Sequence, residues 1–368
     1  MKIFLFYFLF FSFKTFGAEL YQQGMQTRCL AMGGTCASHV RGSSVLFFNP
    51  AALARVEGFD ITIAQVGAGA SKDFYDLSSQ FQGSTFTLAD VNKLYGKTLA
   101  SEVTGRSAFV TPNFGFGLFS NSYVNMQFSD PTFPTFNMSL INDYGYIFGG
   151  SFSMGSNSSF GATVRHIKRQ GGVKDINIST LAGLSVSGLI DNNFNSHGVG
   201  HAIDIAAMTT LNHSLKPTLS LVWHDVGVTT YNLTTGTTSP PDQYDNLIFG
   251  ASVQQEVGIM SFTHAFEYKF IRTLGFDLSK KIHLGTELSV GLFDLRAGVN
   301  QGYVTYGAAV DLWLFEVDAA VYATEQGTYG GQDRNDRYSV SLTFSMDFDQ
   351  SFKMQDREGR KRRLKQRR

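Results

Sequence analysis

The residues in this chain that are able to do chemistry are few, and most are wrongly spaced for it. His224 and Asp225 are sequence neighbours, but neighbours on a strand point to opposite faces, so they do not form an acid–base pair. His166, His201, His213, His264 and His283 show no metal-ligand spacing. No nucleophile, base and orienting group stand in a recognisable arrangement. The expectation is a protein that is not an enzyme, with no catalytic residue, no metal and no cofactor. Cys29 and Cys36 lie seven positions apart, without the spacing of a redox pair or a zinc site. They form either a small-loop disulfide or two small buried thiols. Binding chemistry remains. Arg165 and Arg296 sit among acidic residues on the polar faces of alternating segments. A guanidinium so placed could hold a carboxylate, against competition from its acidic neighbours.

The elements that carry these residues have a period of two. Near the end of the chain Tyr338, Val340, Leu342, Phe344, Met346 and Phe348 share one face, and Arg337, Ser339, Ser341, Thr343, Ser345 and Asp347 share the other. The same split recurs in 260–270, with His264 as an exception on the apolar face, and in 283–290, 294–300 and 315–322. Segments of about ten residues follow one another almost without interruption, the length of a tilted membrane-crossing strand. The polar face mixes small and charged residues and suits a hydrated lumen. A soluble β-sandwich also alternates, but the strand length and the polar face favour a barrel.

Composition agrees. Of 368 residues, 16% are charged, against about 25% in ordinary globular chains. Aromatics make up 14%, with 34 Phe and 15 Tyr, yet mean hydropathy is −0.06. That combination excludes a disordered chain. After residue 20 there is no run of the roughly 18 apolar residues a spanning helix needs. Charge is balanced at 30 against 30, but the last 20 residues hold nine Lys/Arg and three Asp/Glu, leaving 21 against 27 before them. The body is net acidic, so no nucleic-acid partner is expected. Residues 1–18 read as an export signal: Lys2, an apolar stretch Ile3 to Phe13, then Gly17-Ala18 at a cleavage region.

About 14 strands are expected, near 59–68, 105–111, 114–126, 138–154, 158–168, 199–210, 216–226, 245–256, 259–270, 280–290, 293–300, 303–313, 315–324 and 336–348. Connections after even strands are short and most after odd strands are long. Since bacterial barrels have short periplasmic turns, both barrel ends should be periplasmic. Two long connections carry helical signals, over 87–103 (Val91, Leu94, Tyr95, Leu99, Val103) and 178–190 (Ile178, Leu181, Ala182, Leu189, Ile190).

Residues 19–58 precede the alternation. They contain Met32-Gly33-Gly34 and then Ser43-Ser44-Val45-Leu46-Phe47-Phe48-Asn49-Pro50-Ala51-Ala52-Leu53-Ala54. This run of about 30 residues resembles the N-terminal segment of the FadL-type outer-membrane channels for long-chain fatty acids and hydrocarbons, and of the related PorV-like barrels. Arg41-Gly42 and Ala52 depart from the family pattern, and the chain continues past Phe348. The resemblance implies an all-β, transmembrane antiparallel β-barrel of about 14 strands over 59–348, plugged by an N-terminal hatch over 19–58, with Asn49, Pro50 and Ala51 as the hatch motif. It implies passive uptake of hydrophobic small molecules through the cell outer membrane, or else a binding and assembly platform, or a structural barrel. Leu46, Phe47 and Phe48 form an apolar run for ligand contact, and Arg165 and Arg296 join them as candidates. Expected partners are membrane lipid, a hydrophobic ligand, the outer-membrane assembly machinery and, for the basic periplasmic tail 349–368, an anionic periplasmic partner.

Overall fold

The computed structural model describes residues 19–22, 24–78, 93–128, 135–177 and 186–348. The export signal expected at 1–18 and the basic tail at 349–368 lie outside these residues. The strands are β1 (Phe59–Ser71), β2 (Lys97–Thr111), β3 (Phe114–Phe128), β4 (Thr135–Met154), β5 (Ser158–Asn177), β6 (His197–Thr210) and β7 (Thr218–His224). They continue with β8 (Asn232–Thr235), β9 (Asn246–Val257), β10 (Met260–Tyr268), β11 (Ile282–Val290), β12 (Phe293–Asn300), β13 (Tyr303–Asp311), β14 (Phe315–Glu325) and β15 (Arg334–Phe348). All pair antiparallel with their neighbours; β1 pairs with β15, and β5–β6 closes the ring. The short β8 is an extra strand beside β6. Fourteen strands therefore form a closed barrel, which leaves no unpaired edge for lipid to meet.

The period of two is the barrel wall. Val304 and Tyr306 are 68% and 57% exposed on the outer face, while Thr305 between them is fully buried in the lumen. On β15 Val340 and Leu342 face out, and Ser339 and Ser341 face in. His264 does lie on the outer face, where Nδ1 shares a 2.9 Å hydrogen bond with the Thr286 hydroxyl and so is not left unpaired toward lipid.

One expectation about the long connections needs correction. The helix expected over 87–103 is absent from 97–103, which belongs to β2 and pairs with both β1 and β3. Residues 87–92 lie outside the described residues. Tyr95, Leu99 and Val103 are four apart, a spacing that keeps side chains on one face of a helix and of a strand alike. A helix does follow β1, but at Lys72–Ser78 (α3). For the segment 178–190, the described part is helical and runs Val186–Asn193 (α4). Above the barrel Leu77 of α3, Leu94, Leu99, Phe128, Phe136, Met138 and Phe194 form one apolar cluster, with Ile190 of α4 packed against it.

β7 is short for a reason that matters to the site. After His224 the chain turns inward, with positive φ at Asp225 (53°), Gly227 (80°) and Val228 (71°). A β-branched valine there is strained. Val226 still donates to the Ile203 carbonyl at 2.8 Å, and the chain regains the wall as β8. The bulge places Asp225, Thr229 and Tyr231 inside the barrel.

Candidate functional site

The lumen is filled by 19–58. Its short helices are α1 (Thr27–Ala31) and α2 (Val45–Phe48), with 3-10 turns at Gly42–Ser44 and Pro50–Arg55. Pro50 opens the last turn, where its missing donor costs nothing. Asn49 is fully buried. Its Nδ2 donates to the Ala37 carbonyl at 2.7 Å, and its Oδ1 accepts from the Ala51 amide at 3.1 Å. The side chain thus ties two passes of the plug together. Cys29 and Cys36 are joined as a disulfide, which closes the loop carrying Met32-Gly33-Gly34.

Glycines in the wall make room for this segment, since glycine in a strand allows close backbone approach. A Cβ on Gly161 would meet the Pro50 carbonyl carbon at 2.3 Å, and one on Gly149 would lie 2.5 Å from Leu46 Cδ1. Gly117 faces Phe47. On the opposite wall Gly285, Gly298 and Gly307 face Ala31, Met32 and Gly33. These inward glycines are a sequence signal that periodicity alone does not use.

Charge fixes the plug to the β10–β15 side. Arg28 makes two 2.8 Å bonds to Glu287. Arg296 stands fully buried among Glu287 (2.6 Å), Asp318 (2.6 Å), Asp294 (2.7 Å) and Glu316 (3.8 Å). Glu267 accepts from the Cys36 amide at 2.6 Å and from that of Ala37. Lys269 reaches the Gly34 carbonyl, and the His283 ring lies 2.8 Å from that of Gly33. The start of the plug is held too: Glu19 pairs with Arg337 at 2.8 and 2.7 Å.

Two cavities lie on either side of the plug. On the side of the short turns a vestibule of about 690 Å³ is lined by Arg41, Arg55, Glu57, Asp60, Asn157 and Lys216, among others. On the side of the long loops a pocket of about 90 Å³ lies between the plug and the β2–β9 wall. Its floor is Tyr21, Gln22, Phe47 and Phe48 of the plug. Its walls include Arg106, Phe119, Asp143, Arg165, Ile167 and Arg169, and the inward turn adds His224, Asp225 and Tyr231. The Arg106 guanidinium lies 5.0 and 4.9 Å from the Phe47 and Phe48 ring centres. Arg169 grips Asp143 at 2.8 and 2.6 Å and sits 4.2 Å from the Tyr231 ring. Arg165 bridges Asp204 and Asp225 at 2.9 Å each.

Of the candidates read from sequence, Phe47, Phe48 and Arg165 line this pocket. Leu46 is buried against the wall glycines instead. Arg296 is corrected as a ligand contact: four carboxylates enclose it, and none of the described cavities reaches it. Asn49, Pro50 and Ala51 sit within the plug, away from the pocket. Sequence reading missed Arg106, although it falls inside the strand expected over 105–111, because the plug rings it packs against, Phe47 and Phe48, are distant in sequence. It missed Tyr231 because nothing in the 227–244 connection signals an inward turn.

A closed fourteen-stranded barrel with an apolar outer face and a lumen filled by its own N-terminal segment defines a plugged transmembrane β-barrel. No family model matches the chain, and neither does any curated protein. Solved structures do. The toluene transporter TodX of Pseudomonas putida aligns at TM-score 0.51 and 14% identity, over 90% of this chain and 99% of its own. The Ralstonia pickettii toluene transporter TbuX aligns at 0.51 and 14%, over 89% and 99%. The CymD monoaromatic hydrocarbon channel aligns at 0.52 and 11%, over 91% and 99%. The chain shares the fold of these channels.

Proposed function

We propose that this protein is an outer-membrane channel for passive uptake of hydrophobic small molecules, such as long-chain fatty acids or smaller hydrocarbons, gated by the 19–58 plug and carrying out no catalysis. The observation that carries this reading is the pair of cavities, an aromatic-floored pocket toward the long loops and an open vestibule toward the short turns, separated by Phe47-Phe48 and the Asn49-Pro50-Ala51 turn. The fold is that of channels described as carrying toluene and other monoaromatic hydrocarbons, which supports the same cargo class here. The reading includes insertion by the outer-membrane assembly machinery and an anionic periplasmic partner for the tail. A second reading, a platform without transport, draws support from the ion pairs that pack the β10–β15 half of the lumen. Proteoliposomes decide between them. Saturable influx of a labelled hydrocarbon or fatty acid, above that of empty vesicles, is expected; influx no faster than that of empty vesicles would leave the platform reading.

A further inference from the structure

We propose that the pocket above the plug takes a small, single-ring monocarboxylate, with its carboxylate on Arg106 and its ring on the apolar side formed by Phe47, Phe119 and Ile167. This rests on the uptake reading and narrows its cargo at this pocket to a ring-bearing carboxylate, in place of a long acyl chain or a plain hydrocarbon.

The first support is a convergence of unpartnered polar atoms. Nε and Nη1 of Arg106, Nε of Arg165, Nε2 of His224, the Tyr231 hydroxyl and Nδ2 of Asn246 are buried without a hydrogen-bond partner. All five residues line this one cavity. Buried polar groups are normally paired, and a hydrocarbon would leave every one of these unsatisfied. A carboxylate brings two oxygens with about four acceptor sites.

Charge is the second support. Three guanidiniums line the pocket. Arg169 is paired with Asp143, and Arg165 with both Asp204 and Asp225. Arg106 makes no salt bridge among the described residues, Glu102 acting on it only from farther off; its Nη2 donates to the Gly24 carbonyl, and its face lies against two phenyl rings. With Nε and Nη1 unbonded, the Arg106 guanidinium presents an open edge of the kind a planar carboxylate fits.

Size sets the limit. A volume of about 90 Å³ falls below the roughly 300–1,000 Å³ of drug-sized sites. It suits one ring with a small substituent and not an extended acyl chain.

The test uses the full barrel in nanodiscs and fluorine NMR titration with 4-fluorobenzoate, 4-fluorotoluene and 10-fluorodecanoate. The expected result is 4-fluorobenzoate bound at least about tenfold more tightly than either other probe. Arg106→Gln should weaken it by about ten- to a hundredfold. Because Arg106 also holds Gly24, Tyr231→Phe serves as the second variant. It removes only a hydroxyl and should weaken 4-fluorobenzoate by about three- to tenfold, with 4-fluorotoluene unchanged. Equal affinity for the toluene or decanoate probe overturns the assignment, as does unchanged 4-fluorobenzoate affinity in both variants. Vesicle influx separates the two levels. Tight 4-fluorobenzoate binding without influx sinks the channel and keeps the ligand; 4-fluorotoluene influx without 4-fluorobenzoate binding does the reverse.

Discussion

Gly161→Ala should loosen the plug while leaving the barrel intact. The new methyl would stand 2.3 Å from the Pro50 carbonyl carbon and oxygen and 2.5 Å from the Ala51 nitrogen. Unstrained carbon contacts begin near about 3.5 Å, so something must retreat by about 1 Å. β5 cannot yield easily, because Gly161 is paired to Ser151 on β4 and to Ala206 on β6. The turn at Asn49–Ala51 must move instead. Overpacking of this kind costs about 1–3 kcal/mol, which shifts the ratio of seated to displaced plug by about 5- to 150-fold. Strand pairing elsewhere is untouched. Single-channel recording in planar bilayers should show openings more frequent by that factor. Limited proteolysis should cut within 19–58 sooner, and the gel shift of the folded barrel should persist. Gly150→Ala is the control, since its methyl would meet nothing closer than 3.9 Å. If Gly161→Ala matches Gly150→Ala in both opening frequency and proteolysis, close approach of this wall does not seat the plug and the reasoning fails.

Asn49→Ala removes the side-chain hydrogen bonds to Ala37, Ala51 and Met208 from a fully buried site and should destabilise the plug by about 1–3 kcal/mol, read as faster amide exchange in 35–55. Arg296→Met leaves a cluster of carboxylates with one cation fewer; a loss of about 3–5 kcal/mol is expected, visible as a lowered midpoint of heat modification. Acid should also release the plug. Burial, and then the nearby Arg28, keep His39 neutral down to about 3 against an ordinary 6.5. The displaced state therefore binds a proton that the seated state does not, and stability falls as pH drops below 6.5 toward 3. Burial raises the Glu19 carboxyl, but Arg337 outweighs it and holds it below its ordinary 4.5, so its contribution is present above 4.5 and is lost as pH falls through the lowered value. Openings should rise between pH 7 and pH 4, and His39→Gln should flatten the upper part of that profile.

Much of the architecture was legible because a wall between lipid and a polar lumen forces strict alternation. Arg337 to Phe348 announces its own two faces, whereas β5 was expected to end at 168 and runs on to Asn177. The segment around Leu99 was misread because its four-residue spacing fits both periods and because Leu99 is covered by an external apolar cluster that sequence does not reveal. Arg296 looked like a ligand contact because it faces inward; only the convergence of carboxylates from β11, β12 and β14 shows that it is already occupied. The pocket residues Arg106 and Tyr231 come to line one cavity through the inward turn after β7, whose positive φ at Val228 no local motif announces. The wall glycines at 115, 117, 149 and 161 were visible in the sequence, and their inward register marks the path of the plug.

The plug begins and ends on the same strand. Glu19 is clasped by Arg337 of β15, and at the other end of the segment Phe59 is registered against Phe348 of β15 and stacks on it at 4.8 Å. The first contact spans 318 positions of sequence, among the most distant pairings the chain makes, and such non-local contacts are slow to form. The last strand to be synthesised is therefore the one that completes the β1–β15 seam and also anchors the first residues of the plug. Sealing and corking become a single late event in biogenesis. A nascent barrel waiting for β15 has neither, and loss of that strand should yield an open sheet with its N-terminal segment unmoored, not an unplugged pore.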